Sequence, residues 1–393
     1  MRVITTTQDL TQACAELAAA DFVAVDTEFM REQTFWPILC LVQLAGPTAQ
    51  VIVDPLADGI DLAPFYALMA NERVTKVFHA ARQDIEIVWH QADLIPHPIF
   101  DTQVAAMVCG FGEAISYVNL VKQITNVDID KSSRFTDWSR RPLSQRQLTY
   151  ALGDVTHLCD VYLALRKQLE SSGRASWVDE EMATLTDRAT YESHPEDAWR
   201  RLKMRARNRK GFAVLIELAA WRERAAQEQN VPRNRVLRDE ALYDIATHAP
   251  TETTDLSGLR TLSDGFSRSH RAREIIEAVR QGLARDFKTL PPMPVNAQLP
   301  ADRAALVDLL RVLLKASAAR HKVAPRLIAD TDDLERIAMG DDADVPALKG
   351  WRRRLFGEDA ERLKQGSVAL GVEHGVVVAV PTASKAARDG SAV

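Results

Sequence analysis

Two acidic side chains interrupt an apolar run, and this combination restricts where the run can lie in a folded protein. Residues 22–29 read Phe-Val-Ala-Val-Asp-Thr-Glu-Phe, a pattern typical of a buried strand. Side chains on a strand alternate between its two faces, so Asp26 and Glu28 leave the same face together. The run therefore predicts a core strand with one acidic face. Alone it is moderate support for a site, because an acid that ends a strand is usually a cap or turn residue.

Three residues in later motifs extend the acidic pair into a candidate site. Asp84 follows a strand-like run at 74–78, and Tyr150 and Asp154 lie four residues apart in a helical segment. A spacing of i, i+4 puts both of these side chains on one face of the helix. Four acids from distant segments, with a tyrosine one turn from the last, predict a metal cage rather than a solvated surface.

Phosphodiester hydrolysis is the chemistry that such a cage suits best. Two divalent cations about 3.5–4 Å apart can place the attacking water and stabilise the leaving oxygen. Mg²⁺ and Mn²⁺ prefer carboxylate and water ligands, so four carboxylates would hold two ions with one carboxylate bridging. A phenol beside them would orient the water. The sequence has no sulfur or imidazole cluster that would favour a softer metal.

The motifs resemble ribonuclease D, of the DEDD superfamily of 3′–5′ exonucleases. They agree with that family in order, spacing and flanking residues, and Tyr150 marks the tyrosine branch of the superfamily. Thr136, where serine is more usual, is a mild departure that leaves the chemistry untouched. The matching segments are 25–29, 77–86, 100–103, 131–132, 137–143 and 150–155.

The resemblance implies a role for each residue of the candidate site. Asp26, Glu28, Asp84 and Asp154 would be ligands of two divalent ions, Mg²⁺ or Mn²⁺, with Asp26 bridging. Tyr150 would position the nucleophilic water. The implied activity is metal-dependent 3′–5′ trimming of structured RNA, with transfer-RNA precursors as the substrate and nucleoside 5′-monophosphates as products.

The predicted fold class is α/β followed by all-α. Short strands alternate with helical stretches up to about residue 170, and this agrees with the ribonuclease H-like mixed sheet that the resemblance implies. Helix signals dominate afterwards, and a proline-rich stretch interrupts them. The predicted segments are an exonuclease domain at 1–170, a basic linker at 171–206, a first HRDC-like domain at 207–288, a proline-rich linker at 289–298, a second HRDC-like domain at 299–380 and a disordered tail at 381–393.

Two helical segments on either side of the proline-rich stretch form an internal repeat. Val231-Pro232-Arg233 corresponds to Ala324-Pro325-Arg326 at an offset of 93 residues. The helical segment 242–246 corresponds to segment 334–338 at an offset of 92. Both units resemble the helicase-and-RNase-D C-terminal (HRDC) domain, a small helical bundle. Neither has an acid or histidine cluster, so their predicted role is to grip the RNA.

The charge is distributed unevenly along the chain. Residues 1–190 hold 15 Lys and Arg against 25 Asp and Glu, whereas residues 191–290 hold 19 against 15. An acidic domain favours the binding of cations. The basic run at 200–210 would bind a phosphate backbone or, in a simpler interpretation, form a solvated linker. The residues predicted to contact RNA are Lys131, Arg134, Trp138, Arg141, Arg205, Arg207, Arg209 and Lys210.

Other residues have two open interpretations each. Asp101 would either support the site or cap the helix that starts at Thr102, with the cap favoured. His79 is interpreted as a packed, hydrogen-bonded histidine rather than a base. Further side chains would either contact RNA, by charge or by stacking, or serve as ordinary surface and core residues. These are Phe35, Trp36, Arg140, Arg222, Arg233, Arg235 and Arg238.

The composition predicts a cytoplasmic, monomeric protein. No apolar run is long enough to span a membrane, and four scattered cysteines indicate reduced thiols. Two alternative functions stay open: a DNA 3′–5′ exonuclease, since two-metal chemistry does not need the 2′-OH, and a non-catalytic RNA-binding scaffold. The five intact site residues argue against the scaffold.

Overall fold

A computed structural model gives the fold of residues 1–130, 136–203, 206–263, 265–293, 299–340 and 343–382. Its strands are β1 (Arg2–Ile4), β2 (Phe22–Met30), β3 (Ile38–Ala45), β4 (Gln50–Val53), β5 (Thr75–Phe78), β6 (Ile99–Asp101), β7 (Val368–Glu373) and β8 (Val376–Pro381). Its α-helices are α1 (Thr7–Leu17), α2 (Ala63–Met69), α3 (Arg82–Ala92), α4 (Thr102–Val108), α5 (Tyr117–Thr125), α6 (Gln145–Ser172), α7 (Ala175–Leu185), α8 (Arg209–Glu228), α9 (Arg233–Val236), α10 (Asp239–His248), α11 (His270–Ala284), α12 (Ala301–His321), α13 (Pro325–Ile328), α14 (Thr331–Met339), α15 (Gly350–Arg352) and α16 (Glu358–Lys364). Short 3₁₀ turns lie at Arg188–Thr190, Pro195–Arg201, Thr253–Gly258, Phe266–Arg268 and Pro346–Leu348, and a π-helical turn joins α15 to α16 at Arg353–Gly357.

A six-stranded mixed sheet organises the N-terminal domain, in the order β1-β4-β3-β2-β5-β6. β2 pairs antiparallel with β3 and parallel with β5, so it is a central strand. Val23 and Val25 of β2 belong to the main hydrophobic core, together with residues of α1, α2 and α3. Ala24 faces the opposite way and packs with Val155 and Leu158 of α6. The same alternation turns Asp26 and Glu28 toward α6.

The first helical unit, α8 to α11, has a hydrophobic core of its own. It contacts the sheet domain at the chain between β2 and β3. Phe35 packs there with Ala226 and Val236. The backbone N–H groups of Phe35 and Trp36 both donate to the side-chain oxygen of Asn230, at 3.1 and 3.0 Å. This contact fixes the first unit beside the end of the strand that carries the two acids.

The second helical unit shares one continuous core with the sheet domain. Trp351 stacks on Trp177 of α7 with ring centroids 4.4 Å apart. Arg174 donates to the backbone oxygens of Val108 and, at 2.8 Å, of His321. Within the segment 171–206, predicted as a linker, the described residues include α7 and two 3₁₀ turns that pack against both units, since Trp177 stacks on Trp351 and Trp199 belongs to the first unit's core.

The two helical units repeat the same order of elements at their start. In each, a helix of about 20 residues leads to a four-residue helix at a proline and then to a helix of nine or ten residues. The end of the second unit differs from its prediction, because β7 and β8 form an antiparallel hairpin where only helix was expected. His374 and Gly375 adopt positive φ at the turn, which suits a tight hairpin.

The helices, the cysteines and the C-terminal tail bear on what the composition and the sequence pattern predict. None of the helices in the described segments combines the length and the apolarity that a membrane crossing needs. The four cysteines are free thiols, two of them buried and two half-buried. The predicted tail from residue 381 lies, beyond Thr382, outside the described residues.

The junction between the sheet domain and the second unit depends on a glycine. Gly110 has φ +88°, and a Cβ there would lie 2.7 Å from the backbone oxygen of Lys322. Gly59 has φ +74° with nothing within 4 Å of such a Cβ. We expect Gly59→Ala to cost about 1–2 kcal/mol of unfolding free energy through backbone strain. Gly110→Ala should cost about 1–3 kcal/mol more, because it also forces the two surfaces apart.

Chemical denaturation of both variants and the natural protein measures this difference. Equal losses for the two alanine variants would contradict the close packing at Lys322.

Candidate active site

Three carboxylates come together where the C-terminal half of β2 lies against α6. Asp26 and Glu28 come from alternate positions of β2, and Asp154 comes from the third turn of α6. One oxygen from each of these groups lies within 4.8 Å of the others. Ser144 begins α6 with a capping box, and Ala151, Val155 and Leu158 anchor the helix on the sheet. The packing of this helix therefore brings together acids that lie 126 residues apart in the sequence.

Asp84 stands at one side of this cluster, in the first turn of α3. It is buried, and the hydroxyl of Thr27 donates to its carboxylate at 2.5 Å. β2 pairs with β5 only up to Ala24, so the edge of β2 beyond that residue is free to receive α3. Asp84 therefore contacts β2 through Thr27, the residue that lies between Asp26 and Glu28 in the sequence.

Asp101 performs both of the tasks between which the sequence left a choice. It caps α4 by accepting from the N–H of Gln103 at 2.8 Å. Its two oxygens also accept from the N–H groups of Ala80 and Ala81, at 3.0 and 2.8 Å. These residues form the turn that leads into α3, and Ala80 has a positive φ of 63°. Asp101 therefore stabilises the turn that places Asp84.

An open cleft of about 520 Å³ lies over the cluster. The hydroxyl of Tyr150 hydrogen-bonds the carboxylate of Asp154 at its edge. Across the cleft, Tyr117 donates to the backbone oxygen of Gly153 at 3.0 Å. Both ring nitrogens of His79 have partners, Thr102 at 3.0 Å and the oxygen of Ile115 at 3.2 Å, as expected for a packed histidine.

All four carboxyl groups have raised pKa values. Burial and the charge of Asp154 raise the pKa of Asp26 well above its ordinary range. Burial, then the charges of Asp26, Asp154 and Asp84, raise the pKa of Glu28 to about 10. Burial also raises the pKa of Asp154 to about 7, against the opposing effect of the Tyr150 hydrogen bond. For Asp84, burial and Asp26 raise the pKa, and the Thr27 hydrogen bond lowers it.

Such a cluster is suited to hard divalent cations. The donors are oxygens at short mutual distance, and their charges repel one another when no cation is present. A cation would remove that repulsion and restore the ionised forms. The residues present therefore fit Mg²⁺ or Mn²⁺ by ligand type.

The structure corrects two of the residues predicted to contact RNA. Trp138 is 3% exposed and packs with Cys40, Leu41 and Ala151, so its ring offers no open face to a base. Arg141 forms a bidentate pair with Asp54, at 2.6 and 2.7 Å, and donates to backbone oxygens around it. These bonds commit its guanidinium to holding the chain before α6.

The remaining candidates are in different environments. Arg207, Arg209 and Lys210 are exposed at the start of α8, although Arg209 also donates to the backbone oxygen of Phe287. Lys131, Arg134 and Arg205 lie outside the described residues.

Several side chains with two interpretations turn out to be structural. Phe35 is core, Trp36 stacks on His90 with centroids 4.0 Å apart, and exposed Arg140 pairs with Asp137. Arg222 is buried and pairs with Asp239, and Arg233 pairs with buried Glu223. Exposed Arg235 donates to Gln33 of the sheet domain, and Arg238 is exposed before α10.

Sequence reasoning missed two residues beside the site. Tyr117 lines the cleft, and its pKa is raised by burial and by the nearby carboxylates. Gln43 lies on β3 directly opposite Asp26. Its signal was available in the sequence, because it is the one amide in the apolar strand Ile38–Ala45.

Comparison with known proteins agrees with this geometry. A family model described as a 3′–5′ exonuclease matches residues 1–170, and a model for the HRDC domain matches residues 211–279. Ribonuclease D of Nitrobacter hamburgensis is 57% identical over 97% of this chain and 99% of its own length. Ribonuclease D of Bartonella henselae is 47% identical over 96% and 93%. The crystal structure of Escherichia coli RNase D, an exoribonuclease involved in structured RNA processing, matches with TM-score 0.81 and 28% identity, over 93% of this chain and 98% of that one.

The raised pKa values predict how stability depends on pH without metal. A carboxyl group whose pKa is higher in the folded state stabilises the fold below its unfolded pKa, and this contribution is lost as pH rises through the folded value. For Asp154 the window runs from its ordinary 3.8 to about 7. In EDTA, unfolding free energy should therefore fall between about pH 4 and pH 7, and less so in Asp154→Asn. Mn²⁺ should remove most of the fall.

Thermal unfolding across this range, with exposed Asp58→Asn as control, tests the expectation. A natural protein whose stability in EDTA rises over the same window would contradict the raised pKa of Asp154.

Proposed function

The chain belongs to the ribonuclease D family of 3′–5′ exoribonucleases, and from that premise we propose that it trims the 3′ ends of structured RNA, foremost transfer-RNA precursors, by two-metal-ion hydrolysis. The observation that carries the proposal is the close approach of Asp26, Glu28 and Asp154, within 4.8 Å, beside Tyr150 in an open cleft. The family supports an RNA substrate, and the geometry supports metal-dependent chemistry.

One proposed ligand set rests on the close approach of three carboxylates, and the second on the electrostatic effect of Asp26 on nearby Asp84. Asp26, Glu28 and Asp154 would hold one cation, and Asp26 with Asp84 would hold a second, so Asp26 would bridge. Cations there would stabilise negative charge on the attacking and leaving oxygens of the phosphodiester. Mg²⁺ binds few protein groups and keeps several waters, and a site of this few carboxylates suits that habit.

The hydrolysis replaces one bond of phosphorus with another, and Tyr150 would assist it. A water oxygen forms a bond to the last phosphorus, and the bond from phosphorus to the O3′ of the preceding nucleotide breaks. That O3′ takes up a proton, and a nucleoside 5′-monophosphate leaves. Tyr150, hydrogen-bonded to Asp154, would orient the water in line with the breaking bond.

The first helical unit would hold the body of the RNA. It lies against the chain that follows β2, so a strand gripped there has a short path to the cleft. Arg207 and Lys210 are exposed at the start of α8 and would contact phosphates. We propose a monomer, since all the residues of the site come from one chain.

The two alternative functions make different predictions. A scaffold would bind RNA without shortening it, and a DNA exonuclease would degrade a DNA strand of the same sequence as well as the RNA. Neither alternative is favoured by an observation on the site, whereas the relatives favour an exoribonuclease.

Replacing a site residue tests the chemistry directly. Removing a carboxylate that stabilises the transition state by several kcal/mol should slow the reaction roughly 10²–10⁴-fold. We expect this loss in Asp26→Asn, and a smaller loss, roughly 10²-fold, when Tyr150→Phe leaves the water poorly oriented.

The assay uses an RNA with a structured body and a single-stranded 3′ extension, labelled at its 5′ end, with Mg²⁺ or EDTA. The natural protein should produce a ladder that shortens from the 3′ end and disappears in EDTA. RNA that is shifted by the protein but stays at full length would refute the enzyme proposal for that substrate.

A second set of variants tests the RNA grip. Arg207→Ala with Lys210→Ala should raise KM for the structured RNA, leave kcat for a short oligonucleotide unchanged and reduce the salt dependence of binding by about one ion per lost phosphate contact. Arg73→Ala with Lys167→Ala, two exposed cations on the sheet domain, is the charge-matched control. Equal effects of the two pairs would mean that only net charge matters.

A further inference from the structure

Gln43 is a fully buried amide beside the acidic cluster. It lies in β3, between Val42 and Leu44, with 0% of its surface exposed. Neither its side-chain oxygen nor its side-chain nitrogen has a hydrogen-bond partner among the described residues. The nearest sequence neighbours are apolar, so the amide stands out as a polar group in an apolar layer.

The strand register places Gln43 next to Asp26. The two residues are direct partners in the antiparallel β2–β3 pair. Residues directly opposite in such a pair project from the same face, with Cβ atoms about 4.5–5.5 Å apart. On the same face of β3, Leu41 packs with Ala151 of α6 and Ala45 with Val155. Gln43 therefore lies under the turn of α6 that carries Asp154, beside Asp26.

An unpaired amide in this position is costly. Leaving a buried polar group without a partner costs about 1–3 kcal/mol, whereas an apolar residue of the same shape would cost nothing. Lys76, another fully buried polar side chain of the sheet, shows the usual solution, because its ammonium group donates to the backbone oxygens of Asn71, Val74 and His97. Packing alone therefore does not account for an amide at position 43.

The other site carboxylates indicate which partner fits. Asp84 accepts from the hydroxyl of Thr27, and Asp154 accepts from the hydroxyl of Tyr150. Asp26 accepts from the backbone N–H of Thr27, and a carboxylate has room for several donors. Groups that bind metals are commonly held in orientation by a hydrogen bond of this kind, and losing it costs 10–100-fold in metal affinity or activity.

We propose that Gln43 is a positioning residue for Asp26: its amide N–H donates to the Asp26 carboxylate and fixes its orientation when the cluster holds its cations. The inference rests on the proposed metal site and deepens it. The amide keeps one carboxylate oxygen toward the sheet, so that the carboxylate bridges rather than turns away. Gln43 itself contacts neither cation nor RNA.

The test compares Gln43→Met with the natural protein. Methionine has the same unbranched length and removes both amide groups. Trp351→Phe is the matched control, because it also removes a buried, unpaired N–H, in the second helical unit. Two quantities are measured: thermal unfolding in EDTA, and the affinity for Mn²⁺ by titration calorimetry.

We expect Gln43→Met to unfold in EDTA at the same temperature as the natural protein or higher, and to bind Mn²⁺ about 10–100-fold more weakly. Trp351→Phe should bind Mn²⁺ like the natural protein. Unchanged Mn²⁺ affinity in Gln43→Met would overturn the inference. Loss of folding or lower stability in EDTA would overturn it too, since the amide would then have a structural partner. No Mn²⁺ binding by the natural protein would instead refute the metal site on which the inference rests.

Discussion

The close approach of three half-buried carboxylates is the constraint on which this structure depends. Asp26, Glu28 and Asp154 lie within 4.8 Å of one another, and burial raises the pKa of each. Such an arrangement destabilises the metal-free fold, so the surrounding structure must impose it. Two elements impose this arrangement: β2, which is central in the sheet, and α6, which packs across it. Carboxylates that repel one another in the absence of a cation form a site that binds cations favourably.

The rest of the molecule supports this site at its two ends. The second helical unit shares a core with the sheet domain and packs on α7, the helix that follows α6. This continuity holds in place the long helix that carries Tyr150 and Asp154. The first unit has a separate core and contacts the chain after β2 through Phe35 and Asn230. A shared core on one side and a smaller contact on the other suit the proposed arrangement, in which a fixed catalytic site lies beside a unit that grips RNA.

Local spacing was enough to predict that Asp26 and Glu28 share one face of a strand and that Tyr150 and Asp154 share one face of a helix, because the i, i+2 and i, i+4 rules hold in any fold. The catalytic roles of these residues and of Asp84 stay a prediction. The alternation of strands and helices predicted the sheet domain, and the sequence repeat predicted two helical units, although the HRDC identity of the second unit stays a prediction. Contacts between distant segments were not predictable. The burial of Trp138 and the pairing of Arg141 with Asp54 depend on how the loop before α6 folds back on β3 and β4. The β7–β8 hairpin has two valine-rich strands and a His-Gly turn, but the surrounding helix signals outweighed them.

We infer that the cluster is a metal site with Asp26 at its centre. Anomalous diffraction from crystals of the protein soaked in Mn²⁺ tests it most directly, because the scattering locates the ion without reference to activity. We expect a peak within coordination distance, about 2.0–2.2 Å, of oxygens of Asp26, Glu28 and Asp154, and a second peak between Asp26 and Asp84. Peaks only at surface acids, with the cleft empty, would contradict it.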